Sequence, residues 1–321
     1  AFTSMIIGTI IYNPKYNLTV DMTMGEIFAG NEIVWTGIPN ATERAFKQQI
    51  TIEELLTMTS GLYQLQSLGT VLAIGLDTPN SAGVDLPDSL ASPLWSATQK
   101  GEFSYMPTSN ILSYVVKEVT GMTPWEYAAV DVFPYLGMLP ELVLWGQNDD
   151  GVETSYSSIS MTARYMAKIS QLYLQKGMAS PTKRLLSEEY VKASLSIQTN
   201  GLILSSETSY GYLWLYNPFN STLVPNTIGD HMWCGSGFLG QGFCFNYESN
   251  RVVAYQRSNT LWDSTNVGLL YLMAEAAFDA NRTWDIAVQP SLEPPSVESG
   301  AFFLSGVSVT MVAFSCLALW L

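Results

Sequence analysis

The chain changes its local pattern near residue 200, and this change restricts the fold more than any other feature. Before it, helix starts recur: Thr51 with Glu54, and Thr123 with Pro124 and Glu126, each form a capping box. After it come short aromatic and β-branched runs typical of strands: YGYLWLYN, MWCGSG, QGFCFNYE and RVVAYQRSN. A run of helices followed by a run of antiparallel strands predicts an α+β protein, with an all-helical lobe beside a sheet lobe.

Five helices are predicted before residue 200, including the one that starts at the Thr123 capping box, and one is predicted after the strands. The other four are as follows. The first is ITIEELLTMTSG, ending at Gly61, and the second is SNILSYVVKEVTG, with apolar residues on one face before Gly121. A third runs through SMTARYMAKISQLYLQKG, and a fourth starts at Ser187. The segment DSTNVGLLYLMAEAAFDA returns to a helical pattern and is predicted to cover one face of the sheet.

The composition excludes several classes of function. A hydrophobic share of 47% is ample for a core and excludes a disordered chain, and a net charge of −14 is the wrong sign for binding nucleic acid. One histidine and three cysteines are too few for a zinc cluster or a disulfide framework. No nucleotide, flavin or metal motif is present, so we expect no cofactor, and chemistry must come from hydroxyls, carboxylates, amides and the backbone.

The last residues, 301–321, carry no charge and are long enough to cross a hydrocarbon core of about 30 Å. The Pro-rich, acidic segment 286–300 before them has the character of a linker. We predict a C-terminal transmembrane helix, with a buried helix or a cleaved glycolipid-anchor signal as alternatives. Four sequons, at Asn17, Asn40, Asn220 and Asn281, suit a membrane-anchored body on the extracellular or lumenal side.

Three phrases in order resemble the serine β-lactamase and penicillin-binding-protein superfamily, in its class C, esterase and nylon-oligomer-hydrolase branch. They are ITIEELLTMTSGL, FSYMPTSNILSYVVKEVTGMTPWEY and VFPYLGM. Farther on, WCGSGFLGQGFCFNYESNRVVAY resembles the strand and hairpin that bear the third family motif. The resemblance covers about residues 1–280 and implies hydrolysis of an ester, amide or peptide through an acyl-enzyme.

In that family a serine at a helix N-terminus is the nucleophile, and a lysine one turn on takes its proton. The residues that follow this Ser-x-x-Lys motif resemble Ala1 to Ser4, so the nucleophile motif is expected just ahead of the printed sequence. Ser180 to Lys183 also spell Ser-x-x-Lys. They lie after the tyrosine turn, in a polar stretch containing Pro181, so we predict no catalytic role for Ser180.

The resemblance assigns Tyr105 to proton transfer, although Pro107 departs from the usual family pattern, and a Tyr that merely packs its ring is the alternative. Asn110 is the candidate for polar support in place of the missing amide. At the third motif, Gly235, Ser236 and Gly237 occupy the Lys-Thr-Gly positions.

The backbone N–H groups of Gly237 and Phe238 are the candidate oxyanion donors, with a plain glycine-rich strand as the alternative. The lone His231 is not assigned a role. Cys234 and Cys244 bracket a turn and would pair in an oxidising compartment, and we favour free buried thiols.

These observations predict a β-lactamase-related domain over residues 1–285, with a helical lobe at about 45–200 and a sheet lobe at about 201–285. The linker 286–300 and the tail 301–321 follow. We expect a small-molecule or peptide substrate and, because the nucleophile motif is missing from the printed residues, no hydrolysis by this chain. A non-catalytic, membrane-anchored binding protein is the rival interpretation, and a tail-anchored structural protein a third.

Overall fold

The computed structural model describes residues 1–36, 38, 40–63, 94–105, 109–200, 209–216, 232–237, 241–248, 250–256, 302–304 and 307–311. Its principal sheet has eight described strands in the spatial order β13-β14-β12-β11-β10-β9-β8-β7. These strands are β7 (Thr199–Asn200), β8 (Ser209–Tyr210), β9 (Leu215–Tyr216), β10 (Met232–Ser236), β11 (Gly242–Asn246), β12 (Arg251–Tyr255), β13 (Phe302–Leu304) and β14 (Val307–Met311). Neighbours are antiparallel except β12 and β14, which are parallel.

Helices and small hairpins form the rest of the described chain. The helices are α1 (Phe2–Tyr12), α2 (Met24–Ile27), α3 (Ala41–Gln48), α4 (Ile52–Leu56), α5 (Asn110–Thr120), α6 (Pro124–Asp131), α7 (Phe133–Leu136), α8 (Ala163–Leu174) and α9 (Glu188–Ser194). Three two-stranded sheets pair β1 (Ser60–Tyr63) with β2 (Leu94–Lys100), β3 (Leu144–Trp145) with β4 (Ile159–Ser160), and β5 (Met178–Ser180) with β6 (Lys183–Arg184). The predicted α+β class is confirmed.

The central element is α1, which is buried on every side from Phe2 to Ile10. A helix that is apolar all round belongs in the interior of a protein. Gly8 allows close packing on one face of α1. A Cβ at this position would lie 2.3 Å from the ring of Tyr190, so only glycine leaves room for that ring. The ring of Tyr190, on α9, therefore packs directly on the backbone of α1.

Local helix signals are confirmed where they are strongest. Both predicted capping boxes are present, with Thr51 and Glu54 starting α4 and Thr123 and Glu126 starting α6. Ser187 caps α9, and Gly121 ends α5 in a left-handed conformation with φ 74°.

The helix predicted to run to Gly61 ends sooner, at Leu56. The left-handed residue is Met58, with φ 60°, and Gly61 lies in β1 at an irregularity of its pairing with β2. Glycine accepts a positive φ in a bulged strand as readily as after a helix, so the signal was ambiguous.

The strand predictions are confirmed for β10, β11 and β12, which are consecutive antiparallel neighbours. The run YGYLWLYN differs from a single strand: it folds back on itself, and β8 and β9 are the two short arms of a hairpin. The backbone of Gly211 forms the start of this turn, and its N–H donates to the carbonyl of Trp214. The predicted helix over 263–280 lies outside the described residues.

The prediction of a transmembrane helix over 301–321 does not match the described part of that segment. Phe302–Leu304 and Val307–Met311 are strands, and β14 pairs in parallel with β12 from Arg251 to Ala254. An uncharged run containing β-branched residues suits a buried strand as well as a helix, and periodicity does not distinguish them. In the described part of the chain, no helix combines the length and the apolar character that a membrane crossing needs.

The cysteines differ from the favoured prediction of free thiols. Cys234 and Cys244 face one another across β10 and β11, with their Cα atoms 4.1 Å apart, and form a disulfide. Directly opposed positions on neighbouring antiparallel strands bring the Cβ atoms close enough for this bond. The disulfide therefore ties together the two strands nearest the third-motif glycines.

Buried tyrosines make the fold sensitive to alkali. Burial raises the pKa of Tyr127 to about 12, and burial also raises the pKa of Tyr173, Tyr190 and Tyr210. Because these pKa values exceed the ordinary value near 10, their contribution to stability is complete below pH 10 and is lost as the pH rises through the folded values. For Tyr127 alone the loss is on the order of 2 kcal/mol.

We therefore expect the free energy of unfolding to fall steeply above pH 10. Tyrosinate absorbance and far-ultraviolet circular dichroism should then change together in one cooperative step. Titration of every tyrosine near pH 10 without unfolding would contradict this expectation.

Candidate active site

Ser155 joins the start of α1 to the start of α5. The Thr3 hydroxyl donates to the Ser155 carbonyl at 3.0 Å, and the Ser155 N–H donates to Oδ1 of Asn110 at 3.3 Å. The Ser155 hydroxyl also donates to the carbonyl of Ser109. These bonds place the amino ends of two helices on either side of one short loop.

The loop around Ser155 is fixed by the residues before it. The Thr154 N–H donates to the carbonyl of Gly146 at 3.1 Å, and the Thr154 carbonyl accepts from the indole of Trp145 at 2.7 Å. Sequence reasoning missed Ser155, because its partners lie 45 and 152 residues away. The only local signal was the cluster of hydroxyl residues in TSYSS.

Asn110, the predicted polar support, is buried with 2% of its surface exposed. Its side-chain oxygen accepts the Ser155 N–H, so the amide positions the loop between α1 and α5. A role of Asn110 in catalysis stays a prediction.

Replacing Asn110 with leucine should destabilise the protein by about 1–3 kcal/mol. Leucine has a similar volume, but it leaves the half-buried Ser155 N–H without this acceptor, which costs roughly this much. Urea denaturation measures the change, and Asn110→Asp, which keeps an oxygen acceptor, is the comparison. A leucine variant as stable as the wild type would show that the bond to Ser155 has no structural role.

Tyr105, the predicted proton-transfer residue, lies at the edge of an aromatic cluster. Its ring centroid is 6.4 Å from those of Phe103 and Tyr210, and the Tyr210 ring meets it edge on. The residue is 45% exposed, yet the surrounding protein raises the pKa of its hydroxyl by desolvation. The Tyr105 hydroxyl therefore stays protonated at neutral pH.

The register of the sheet relates Tyr105 to the third-motif strand. Tyr210, against which Tyr105 packs, pairs with Leu215, and Leu215 pairs with Cys234 on β10. Two strand spacings put Tyr210 about 10 Å from Cys234. The turn of the β8–β9 hairpin and the Gly235–Gly237 stretch therefore lie toward the same end of the sheet.

Gly237 follows the end of β10 and closes the turn toward β11. Its N–H donates to the carbonyl of Gln241 at 2.9 Å, and a Cβ at this position would lie 2.4 Å from the Gln241 side chain. This N–H is thus already engaged within the protein. The predicted oxyanion role of Gly237 and Phe238 stays a prediction, and Phe238 lies outside the described residues.

Two polar atoms beside this turn are buried without a hydrogen-bond partner in the described structure. They are Oγ of Ser236 and Oε1 of Gln241. Buried polar atoms are seldom left unpaired, and unpaired ones are frequent at binding sites. Residues 232–248 contain no lysine or arginine, so the hydrogen-bonding groups beside this turn are neutral.

Buried hydroxyl groups near the start of α1 bond this helix to α8 and α9. The Tyr190 hydroxyl donates to the Ser4 carbonyl at 2.8 Å, and Oγ of Ser4 lies 3.2 Å from that hydroxyl and 3.4 Å from the Tyr173 hydroxyl. These contacts hold the amino end of α1 against α8 and α9. The start of α1 is therefore rigidly placed.

The Ser-x-x-Lys match at residues 180–183 is not helical. Ser180 and Lys183 are paired across the β5–β6 turn, and the Thr182 N–H donates to Oγ of Ser180 at 3.4 Å. This geometry does not set Ser180 and Lys183 one helical turn apart, as the family arrangement requires. His231 lies outside the described residues.

Comparison with known proteins decides the family. The Beta-lactamase family model matches residues 38–278. The chain belongs to the Beta-lactamase family. The match includes α5 with Asn110, Tyr105, Ser155 and the β10–β11 hairpin, and so confirms the family predicted from the sequence phrases.

Solved structures agree on the fold. A putative 6-aminohexanoate-dimer hydrolase from Bacillus anthracis is 15% identical with a TM-score of 0.59, over 86% of this chain and 69% of its own. A penicillin-binding protein homolog from Caulobacter crescentus is 16% identical with a TM-score of 0.59, over 86% and 80%. A class C β-lactamase from Rhodobacter sphaeroides is 15% identical with a TM-score of 0.53, over 86% and 83%. No curated protein matches the sequence closely enough to count as a relative.

Proposed function

We propose that this fold serves hydrolysis of an ester, amide or peptide through an acyl-enzyme, as a serine hydrolase of the Beta-lactamase family. The observation that carries the proposal is the fixed amino end of α1, which Ser155 links to Asn110. A helix N-terminus favours developing negative charge and is a suitable place for a nucleophile. The similar fold of a protein described as an aminohexanoate-dimer hydrolase supports an amide among the substrates.

The preferred substrate is neutral near the third-motif strand. Ser236 and Gln241 supply neutral polar atoms there, and residues 232–248 supply no cation to meet a carboxylate. A buried anion without a cation is costly. We therefore propose that uncharged esters and amides are favoured over β-lactam acids.

Turnover needs a serine and its base one helical turn ahead of Phe2. A polypeptide that consists of residues 1–321 has no side chain at that position, so we expect it to bind substrate without hydrolysing it. An extension of Ser-Ala-Ala-Lys before Ala1 would prolong α1 by about one turn and place both groups on one face.

The test compares labelling by a fluorophosphonate ester probe, which reacts with activated serines. We expect the Ser-Ala-Ala-Lys extension to label at least about 100-fold faster than residues 1–321 and than a control extension of Ala-Ala-Ala-Lys. Equal labelling of all three folded polypeptides would refute a hydrolase site at the start of α1.

A second candidate is a non-catalytic binding protein that binds its ligand at the same candidate site. The observation in its favour is that the N–H of Gly237 already bonds to Gln241 and so does not point to a substrate. This candidate predicts that a neutral ester binds residues 1–321, while the extended chain stays unlabelled.

We propose an extracellular or lumenal location, as the disulfide between Cys234 and Cys244 supports. Such bonds persist in oxidising compartments and are rare in the cytosol. Mass spectrometry of the native protein, alkylated before and after reduction, should find these two thiols blocked only until the reductant is added.

A further inference from the structure

A second pocket lies at the other end of α1 from the candidate active site. It has a volume of about 130 Å³ and lies between the end of α1, helices α6 and α7, and strand β6. Its charged and aromatic lining residues are Tyr12, Tyr127, Asp131, Tyr135, Lys183 and Arg184. With 11 residues, α1 separates the two places by about 15 Å.

Charges of opposite sign line this pocket. Asp131 comes from α6, and Lys183 and Arg184 come from β6. None of the three forms a close ion pair among the described residues, although Lys15 interacts electrostatically with Asp131 and Glu189 with Arg184. The Lys183 ammonium lies 4.0 Å from the centroid of the Tyr135 ring, a cation–π contact that holds it at the rim. The Arg184 guanidinium donates to the carbonyls of Lys176 and Leu186, the latter at 3.1 Å.

The two sides of the pocket differ in polarity. The C-terminal end of α1 carries a partial negative charge, which adds to the carboxylate of Asp131. Lys183 and Arg184 make the opposite side positive. Two further lining residues are buried, Tyr127 with 1% of its surface exposed and Leu185 with 5%.

We infer that this pocket binds a small zwitterion, with its ammonium group toward Asp131 and its carboxylate toward Lys183 and Arg184. A volume of about 130 Å³ equals that of about four water molecules, which is enough for a small amino acid. The chain's net charge of −14 repels simple anions, whereas a ligand without net charge escapes this repulsion. Lys183 thereby acquires a role unrelated to the Ser-x-x-Lys pattern.

Ligand-observed NMR with β-alanine tests the site, and propionate and ethylammonium serve as its two halves. We expect a dissociation constant in the millimolar range for β-alanine and at least about 10-fold weaker binding of either half. Lys183→Met and Asp131→Asn should each weaken β-alanine binding by at least about 10-fold. Lys192→Met, which removes an exposed lysine outside the pocket, should change it by less than about 2-fold.

Two results would overturn the assignment. One is the absence of any β-alanine signal with the folded wild-type protein, and the other is equal weakening by the Lys192→Met control. Circular dichroism of each variant verifies the fold, and both pocket substitutions remove only a partly exposed charge. The readout does not depend on hydrolase activity, so the proposed function and this site stand or fall separately.

Discussion

Replacing Gly177 with alanine should lower the free energy of unfolding by about 3–4 kcal/mol. Gly177 has φ 87°, between the end of α8 and β5. A Cβ there would lie 2.2 Å from the carbonyl oxygen of Leu186. The backbone cannot retreat easily, because the Gly177 carbonyl accepts from the N–H groups of Leu185 and Leu186.

Gly121→Ala is the matched control. Gly121 has a similar φ of 74°, but no atom lies within 4 Å of the place where a Cβ would be. The left-handed conformation alone should cost about 1 kcal/mol. Urea midpoints of the two variants separate conformational strain from the clash with Leu186, and equal losses of stability would show that the backbone near Leu186 relaxes freely.

Removing residues 301–321 should make the protein associate into larger oligomers. Strand β14 covers the outer edge of β12 along four paired residues, from Arg251 to Ala254. Without it, a row of backbone N–H and C=O groups is exposed and can pair with another chain. Composition alone predicts the opposite result, because the deletion removes an uncharged, apolar segment, and such a loss ordinarily improves solubility.

Light scattering after size-exclusion chromatography measures this change. A synthetic peptide of residues 305–313 contains β14 and should reverse the association when added in excess, whereas a scrambled peptide should not. An unchanged mass of the shortened chain, relative to the full chain at the same concentration, would show that β14 does not protect the edge.

The sequence predicted those parts of the fold that depend on interactions between residues close together in the chain. Helix starts at Thr51, Thr123 and Ser187 were predictable, because a capping side chain bonds to an N–H only three residues away. The family was predictable from the phrases around Tyr105 and α5. The hairpin of β8 and β9 was not, because the run YGYLWLYN carries strand-forming residues through its turn.

The candidate site was predictable only where a motif named its residues. The motifs named Asn110 and Gly237 as candidates, and their roles stay predictions. Ser155 was not named, since its bonds to Thr3 and Asn110 exist only after distant segments meet. The hydrogen bond from the Gly237 N–H to the Gln241 carbonyl was also not predictable, because no local sequence signal specifies it. The strands at 302–304 and 307–311 were not predicted, because lipid and the edge of a sheet both accept an uncharged apolar segment.

The burial of α1 has a consequence for how the protein is made. Ser4 is synthesised 186 residues before its hydrogen-bond partner Tyr190. At about 5–20 residues per second, α1 waits about 10–40 s for that partner. A mostly apolar helix left uncovered for so long is a natural client for a chaperone. Its late docking, at high contact order, is expected to limit the rate of folding.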